Sequence, residues 1–230
     1  MPVSAINAAS RPERVDPATI FNDPQAAALA AAMAEGDDTR TEALIPQVSL
    51  SVNGDRQVTL LQWALLHGNR HAVRALLKAG ADPAQPGLDD DTVMHMAAMT
   101  EDPGYLSDLL ASGADPDTPH PVSGATPLHA ALRGDRAAQF HQLLAAHADP
   151  GRADRSGNTP LHMAGMIAAP DRVLALLQAG ADPASRNAQG LTFQHFLFME
   201  RLDLLNASAS AQWESVVKWL EAHNVPLGSR

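Results

Sequence analysis

The feature that most constrains this chain is a recurring threonine. Thr59, Thr92, Thr126 and Thr159 stand 33, 34 and 33 residues apart, and Thr192 follows after a further 33. Each opens a similar block: Thr59-Leu60-Leu61-Gln62-Trp63-Ala64, Thr92-Val93-Met94-His95-Met96-Ala97, Thr126-Pro127-Leu128-His129-Ala130-Ala131, Thr159-Pro160-Leu161-His162-Met163-Ala164 and the weaker Thr192-Phe193-Gln194-His195-Phe196-Leu197. Seventeen residues after each of the first four lies a Leu-Leu pair, at Leu76, Leu109, Leu143 and Leu176. Behind the pairs come Gly80-Ala81-Asp82-Pro83, Gly113-Ala114-Asp115-Pro116, His147-Ala148-Asp149-Pro150 and Gly180-Ala181-Asp182-Pro183. A period of this length marks stacked supersecondary units.

Each recurring residue has a physical task. Threonine caps a helix N-terminus, and proline suits the first helical turn, where its missing N–H costs nothing. The Leu-Leu pair ends a second, antiparallel helix with an apolar stripe. Glycine supplies a left-handed C-cap, and Asp-Pro sends the chain into an extended turn. One such unit cannot bury its own apolar face, so neighbours must stack. The expected fold is all-α: stacked antiparallel helix pairs joined by extended turns, four clear repeats flanked by N- and C-terminal capping repeats.

These residues resemble the ankyrin repeat family, in particular its bacterial members, over about residues 24–226. The resemblance implies an ankyrin-type solenoid with projecting β-turn fingers, whose inner helices and finger loops recognise another protein, without catalysis. Some bacterial proteins of this kind neutralise secreted antibacterial toxins as immunity proteins; a secreted effector or scaffold is the alternative. The expected boundaries are an extension at 1–22, a single repeat domain at 23–226 with repeats at 23–52, 53–85, 86–119, 120–152, 153–185 and 186–226, and a tail at 227–230. The ends depart from the pattern. Asp23-Pro24-Gln25 opens an alanine-rich helix to Met33, and Trp219-Leu220 arrives ten residues late. Glu200 to Ala209 is therefore expected as an insertion, with Trp213, Val216 and Leu220 closing the core.

Composition narrows the function classes. Aromatic residues make up 4% of the chain, so alanine, leucine and methionine must supply the buried area. The net charge of −10 and the absence of a basic stripe argue against nucleic acid. With no cysteine there are no disulfides, thiolate metal sites or cysteine nucleophiles. The longest small-apolar run, Ala26 to Ala34, is too short to insert in a membrane. Met1 to Arg14 lacks the order of a signal peptide, so the chain reads as cytoplasmic, or as periplasmic where a leader has been removed. It is expected to be monomeric.

His95, His129, His162 and His195 share one motif position, with Gln62 in the first block. They lie a whole repeat apart, which does not suit a zinc site, and are expected to hydrogen-bond backbone in the adjacent turn. Asp89-Asp90-Asp91 lacks the alternation and closing glutamate of a calcium loop and reads as a solvated finger tip. No nucleophile elbow, phosphate loop or His-Glu-x-x-His is present, and no cofactor or metal is expected.

Partner-binding residues follow from the resemblance, which places the seventh and eighth residues after each threonine on the concave face. These are Leu66 and His67, Met99 and Thr100, Arg133, Met166 and Ile167, then Met199. Methionine-rich rows of this kind adapt to a partner. The fingers add acidic Asp89 and Asp91, then basic Arg155 and Arg186, a segregation that would orient a complementary partner.

Overall fold

The computed structural model describes residues 15–197 and 207–227; the side chains of residues 207–210 are outside the description. These residues form thirteen α-helices within two compact units, Met1–Asp82 with Gly87–Asp89 and Pro83–Pro86 with Asp90–Arg230. Among the described residues there are no strands, and an isolated bridge joins Asn53 to Thr59.

The first unit holds α1 (Pro17–Ile20), α2 (Pro24–Glu35), α3 (Asp38–Leu44), α4 (Leu60–Leu66) and α5 (Arg70–Lys78). Its helices start where short polar side chains occupy orphan N–H groups. The Asp23 carboxylate accepts from Gln25 N–H at 2.9 Å, and Pro24 follows in the first turn. Gly36 then ends α2 at φ 73°. The alanines of α2 keep its buried face thin, so α4 comes close enough for the Trp63 indole N–H to reach the Ala30 carbonyl at 2.9 Å. Asn69 caps α5 through Ala72 N–H and also donates to the Met33 carbonyl at 3.0 Å. Phe21, assigned by the sequence to the extension, is buried, its ring edge-on to Trp63 at 5.6 Å.

The second unit holds α6 (Val93–Met99), α7 (Gly104–Ala111), α8 (Pro127–Arg133), α9 (Ala137–Ala145), α10 (Pro160–Met166), α11 (Pro170–Gln178), α12 (Phe193–Leu197) and α13 (Ala207–Ala222). Helix α8 packs against α6 and α10, and α10 against α12, while α9 lies on α7 and α13 on α11. Thr92, Thr126 and Thr159 are the N-caps that the sequence predicts. Between the pairs lies a core of Met94, Leu106, Leu109, Leu128, Phe140, Leu143, Val173, Leu176 and Phe193. Each side chain of this size contributes about 1.5–3 kcal/mol by leaving water. Trp213, Val216 and Leu220 are buried and close this core, as their spacing predicts. At the position where the earlier repeats carry Leu65, Ala98 and Leu132, α10 carries Gly165. A Cβ there would lie 2.7 Å from the Phe193 carbonyl oxygen. The missing side chain is what lets α12 approach.

Three fingers project from this unit, each closed across a hairpin: His120 N–H to Ala125 O at 2.8 Å, Asp154 N–H to Asn158 O at 2.8 Å and Asn187 N–H to Leu191 O at 3.0 Å. Successive fingers are joined by Arg155 N–H to Ser123 O at 2.8 Å and Ala188 N–H to Ser156 O at 2.9 Å. Gly157, at φ 76°, leaves no room for a Cβ, which would meet Ala188 N at 2.8 Å.

The histidine position behaves as expected in three blocks. His95 Nε2 donates to Ala125 O at 2.9 Å, His129 to Asn158 O at 3.0 Å and His162 to Leu191 O at 3.0 Å. A carbonyl has no proton to give, so Nε2 carries the hydrogen and Nδ1 accepts. That Nδ1 receives the threonine hydroxyl, at 2.9, 3.0 and 2.8 Å respectively. In the first unit Gln62 does related work by acceptance, its Oε1 taking Thr59 N–H at 3.2 Å and Leu88 N–H at 2.8 Å. A Cβ on Gly87 would collide with that amide. His195 is exposed, its ring against Phe196. Buried Gln194 donates to Pro226 O at 3.1 Å. The expected insertion needs correction at its end, since Ala207 already begins α13. Its remainder, with Met199, lies outside the described residues.

Candidate partner-binding site

The residues expected on a concave row fall into both units. In the first, Leu66 and His67 are half-buried at the end of α4. His67 is turned inward: Nδ1 donates to Trp63 O at 2.9 Å, and its ring lies over the Trp63 indole with centroids 4.1 Å apart. Asp89 is exposed and paired with Arg56 at 3.2 Å.

The second unit carries the more open part. Met166 and Ile167, consecutive at the end of α10, are 42% and 39% exposed. Exposed apolar side chains of this size are few among the described residues. The others are Val15, Val122 and Leu227. Arg133, at the matching place on α8, is exposed. Met99 is half-buried, with Arg133 Nη2 4.0 Å from its sulfur. The end of α6 is further held by Arg136 Nε, which donates to Met99 O at 2.9 Å, and by Gln139 Nε2, which donates to Thr100 O at 2.6 Å. Met99 and Thr100 are thus tied into the stack, whereas Arg133, Met166 and Ile167 are presented to solvent.

Beside Ile167 opens a cleft of about 370 Å³. Arg133 comes from the end of α8, Asp135 from the α8–α9 turn, Pro170 and Arg172 from the start of α11, and Trp213 from α13. Arg172 pairs with Asp135 at 2.6 Å. Asp135 at φ 54° and Ala168 at φ 50° hold left-handed backbone at the position where the first unit has Gly68. The sequence reading missed this cleft. A signal for it exists in the register: thirteen residues after the capping threonines stand Ala72, Tyr105, Gln139 and Arg172, all buried. An arginine in a buried column calls for partners.

The finger residues are more constrained than a row of solvated turns. Arg155 Nη2 donates to Pro121 O at 2.6 Å, and Arg186 Nη1 to Gly190 O at 2.6 Å, so both guanidinium groups hold finger backbone while remaining exposed. Asp91, expected at a solvated tip, is half-buried with Oδ1 3.6 Å from His120 Nε2. Burial holds the His95 ring down to about 4, and the neighbouring His120, Arg133 and His129 oppose a further positive charge. His129 and His162 are lowered too, chiefly by burial. Burial raises the Asp117 carboxyl, which accepts from Asp149 N–H at 3.0 Å. These shifts mark the inside of a hydrogen-bonded stack.

Comparison with known proteins agrees with this architecture. A pattern of three consecutive ankyrin repeats matches residues 94–187, and a single ankyrin repeat matches residues 57–87. The chain belongs to the ankyrin repeat family, a protein-interaction scaffold. It is 49% identical over 128 residues to Protein PhlB of Serratia liquefaciens, an alignment covering 56% of either chain. It is 33% identical over 116 residues to the palmitoyltransferase Hip14 of Drosophila melanogaster, covering 50% of this chain and 18% of Hip14. The chain thus spans about half of PhlB and less than a fifth of Hip14. Among solved structures, an ankyrin repeat domain from Acinetobacter baumannii shares the fold at a TM-score of 0.67 with 23% identity, over 82% of this chain and 95% of that one. A chain in the complex of a predatory endopeptidase from Bdellovibrio bacteriovorus with its immunity protein does so at 0.65 with 21% identity, over 83% and 97%. Among the described residues no helix is long and apolar enough to cross a membrane.

Proposed function

We propose that the second unit captures a protein partner on the surface carrying Arg133, Met166 and Ile167, with Arg155 and Arg186 on the adjoining fingers as polar contacts. The observation that carries this reading is the exposed Met166–Ile167 pair at the end of an otherwise well-buried helix. Two adjacent apolar side chains beside a guanidinium supply both the desolvation energy and the orientation that an interface centre needs. The flexible thioether suits a surface that adjusts to its ligand.

A finer reading is that the chain acts as a bacterial immunity protein, holding a secreted effector inactive. It is supported by likeness in fold to a chain from an endopeptidase–immunity complex. The two halves of the proposal separate experimentally. Affinity capture with wild-type protein and with the Met166→Ala/Ile167→Ala variant should identify a partner that binds the variant about tenfold or more weakly. Retention of equal affinity by a folded variant removes this surface. Co-expression with the product of an adjacent gene should protect cells from that product, and failure to protect ends the immunity reading.

A further inference from the structure

The aligned column of Ala72, Tyr105, Gln139 and Arg172 contains one side chain whose burial is not accounted for by its contacts. Gln139 satisfies itself on the Thr100 carbonyl. Arg172 brings a permanent charge to the corresponding place and is only 8% exposed. Its Nη1 meets Asp135 at 2.6 Å, but its Nε is buried with no hydrogen-bond partner. An unmatched guanidinium N–H out of water costs about 1–3 kcal/mol, so Arg172 holds a positive charge here that its contacts answer only in part.

The surroundings say what kind of acceptor. Arg172 lines the cleft of about 370 Å³, where Arg133 supplies a second guanidinium and Ile167, Pro170 and Trp213 supply apolar surface. Asp135 is largely consumed by its pair, and its side chain is 84% exposed to solvent. Asp171 also lines the cleft from the first turn of α11. Its charge weighs against a run of acids in the ligand. Planar, forked donors select carboxylates.

We propose that this cleft is a subsite for one glutamate or aspartate side chain of the partner protein. Its carboxylate sits on exposed Arg133, over the charge of buried Arg172, and an adjoining aliphatic residue lies against Ile167. The assignment deepens the reading of the second unit as a partner-binding surface and rests on it. It gives that surface a specificity that the exposed apolar pair alone does not have.

The test uses small probes, so it does not depend on identifying the partner. The full chain is titrated with acetyl-Leu-Glu-amide, acetyl-Leu-Gln-amide and acetyl-leucine, following the arginine Nε–H signals by NMR. The glutamate peptide should shift the Arg172 signal saturably, with the glutamine peptide about tenfold weaker or more. Arg133→Gln, at an exposed position, should fold normally and weaken the glutamate peptide by a similar factor. Equal response to the two amides, or no saturable change at Arg172, would overturn the proposal. Preference for acetyl-leucine would assign the cleft to chain termini and overturn the side-chain reading. Peptide binding together with an unaffected Met166→Ala/Ile167→Ala capture would keep the subsite and discard the larger surface.

Discussion

Lowering the pH from 7 to 5 should destabilise the second unit through His95, and replacing that ring with glutamine should remove the effect. The folded state holds the ring neutral. Nε2–H is committed to Ala125 O and Nδ1 accepts from the Thr92 hydroxyl. A second ring proton would turn that acceptor into a donor and place a charge where burial, His120, Arg133 and His129 all disfavour it. The ring titrates at 6.5 in the unfolded chain and at about 4 in the fold. The unfolded state therefore binds the proton first as pH falls, and stability drops from pH 6.5 downward until the folded ring also protonates near 4. The full difference is worth about 3 kcal/mol, of which about 2 kcal/mol develops between pH 7 and 5. His129 and His162 add losses of the same sign. Urea denaturation of wild type and His95→Gln at both pH values isolates the His95 part, since carboxylates common to both chains cancel. Gln62 fills the equivalent position in the first unit, so glutamine is a reasonable guest. The variant should lose about 2 kcal/mol less than wild type on acidification. Equal losses would refute the neutral, buried ring.

Three further substitutions test the packing. Gly165→Ala should cost about 1–3 kcal/mol in urea denaturation, because its methyl group would meet the Phe193 carbonyl; an unchanged midpoint would mean α12 does not pack as described. Ala168→Gly should stabilise by about 1 kcal/mol, since φ 50° strains an alanine and not a glycine. Asn69→Ala should cost about 1–2 kcal/mol by removing both the cap on Ala72 and the bond to Met33 O, read from thermal melts.

The repeat made the helix pairs, the threonine caps and the three-histidine ladder legible, because each depends on residues at fixed offsets within one repeat or its neighbour. Trp213, Val216 and Leu220 were legible for the same reason. What the pattern could not convey is side-chain reach. Asp91 reads as a finger tip, yet the turn carries it back toward His120. Met99 belongs to the expected row, yet Arg133 lies over its sulfur. Phe21 precedes the first repeat in register, yet it meets Trp63 in the core of the first unit. The Arg172 cleft required two facts at once: that its column is buried, and that Asp135 and Trp213 converge on it in space. The first was readable from the aligned repeats. The second depends on where α13 packs.

Hydrogen exchange on the captured complex tests the partner-binding account most directly. Amides from Met166 through Arg172, together with the tips around Arg155 and Arg186, should gain protection when the partner binds. Protection confined to the outer faces of α9 and α11, with the α10–α11 turn exchanging as in the free chain, would contradict it.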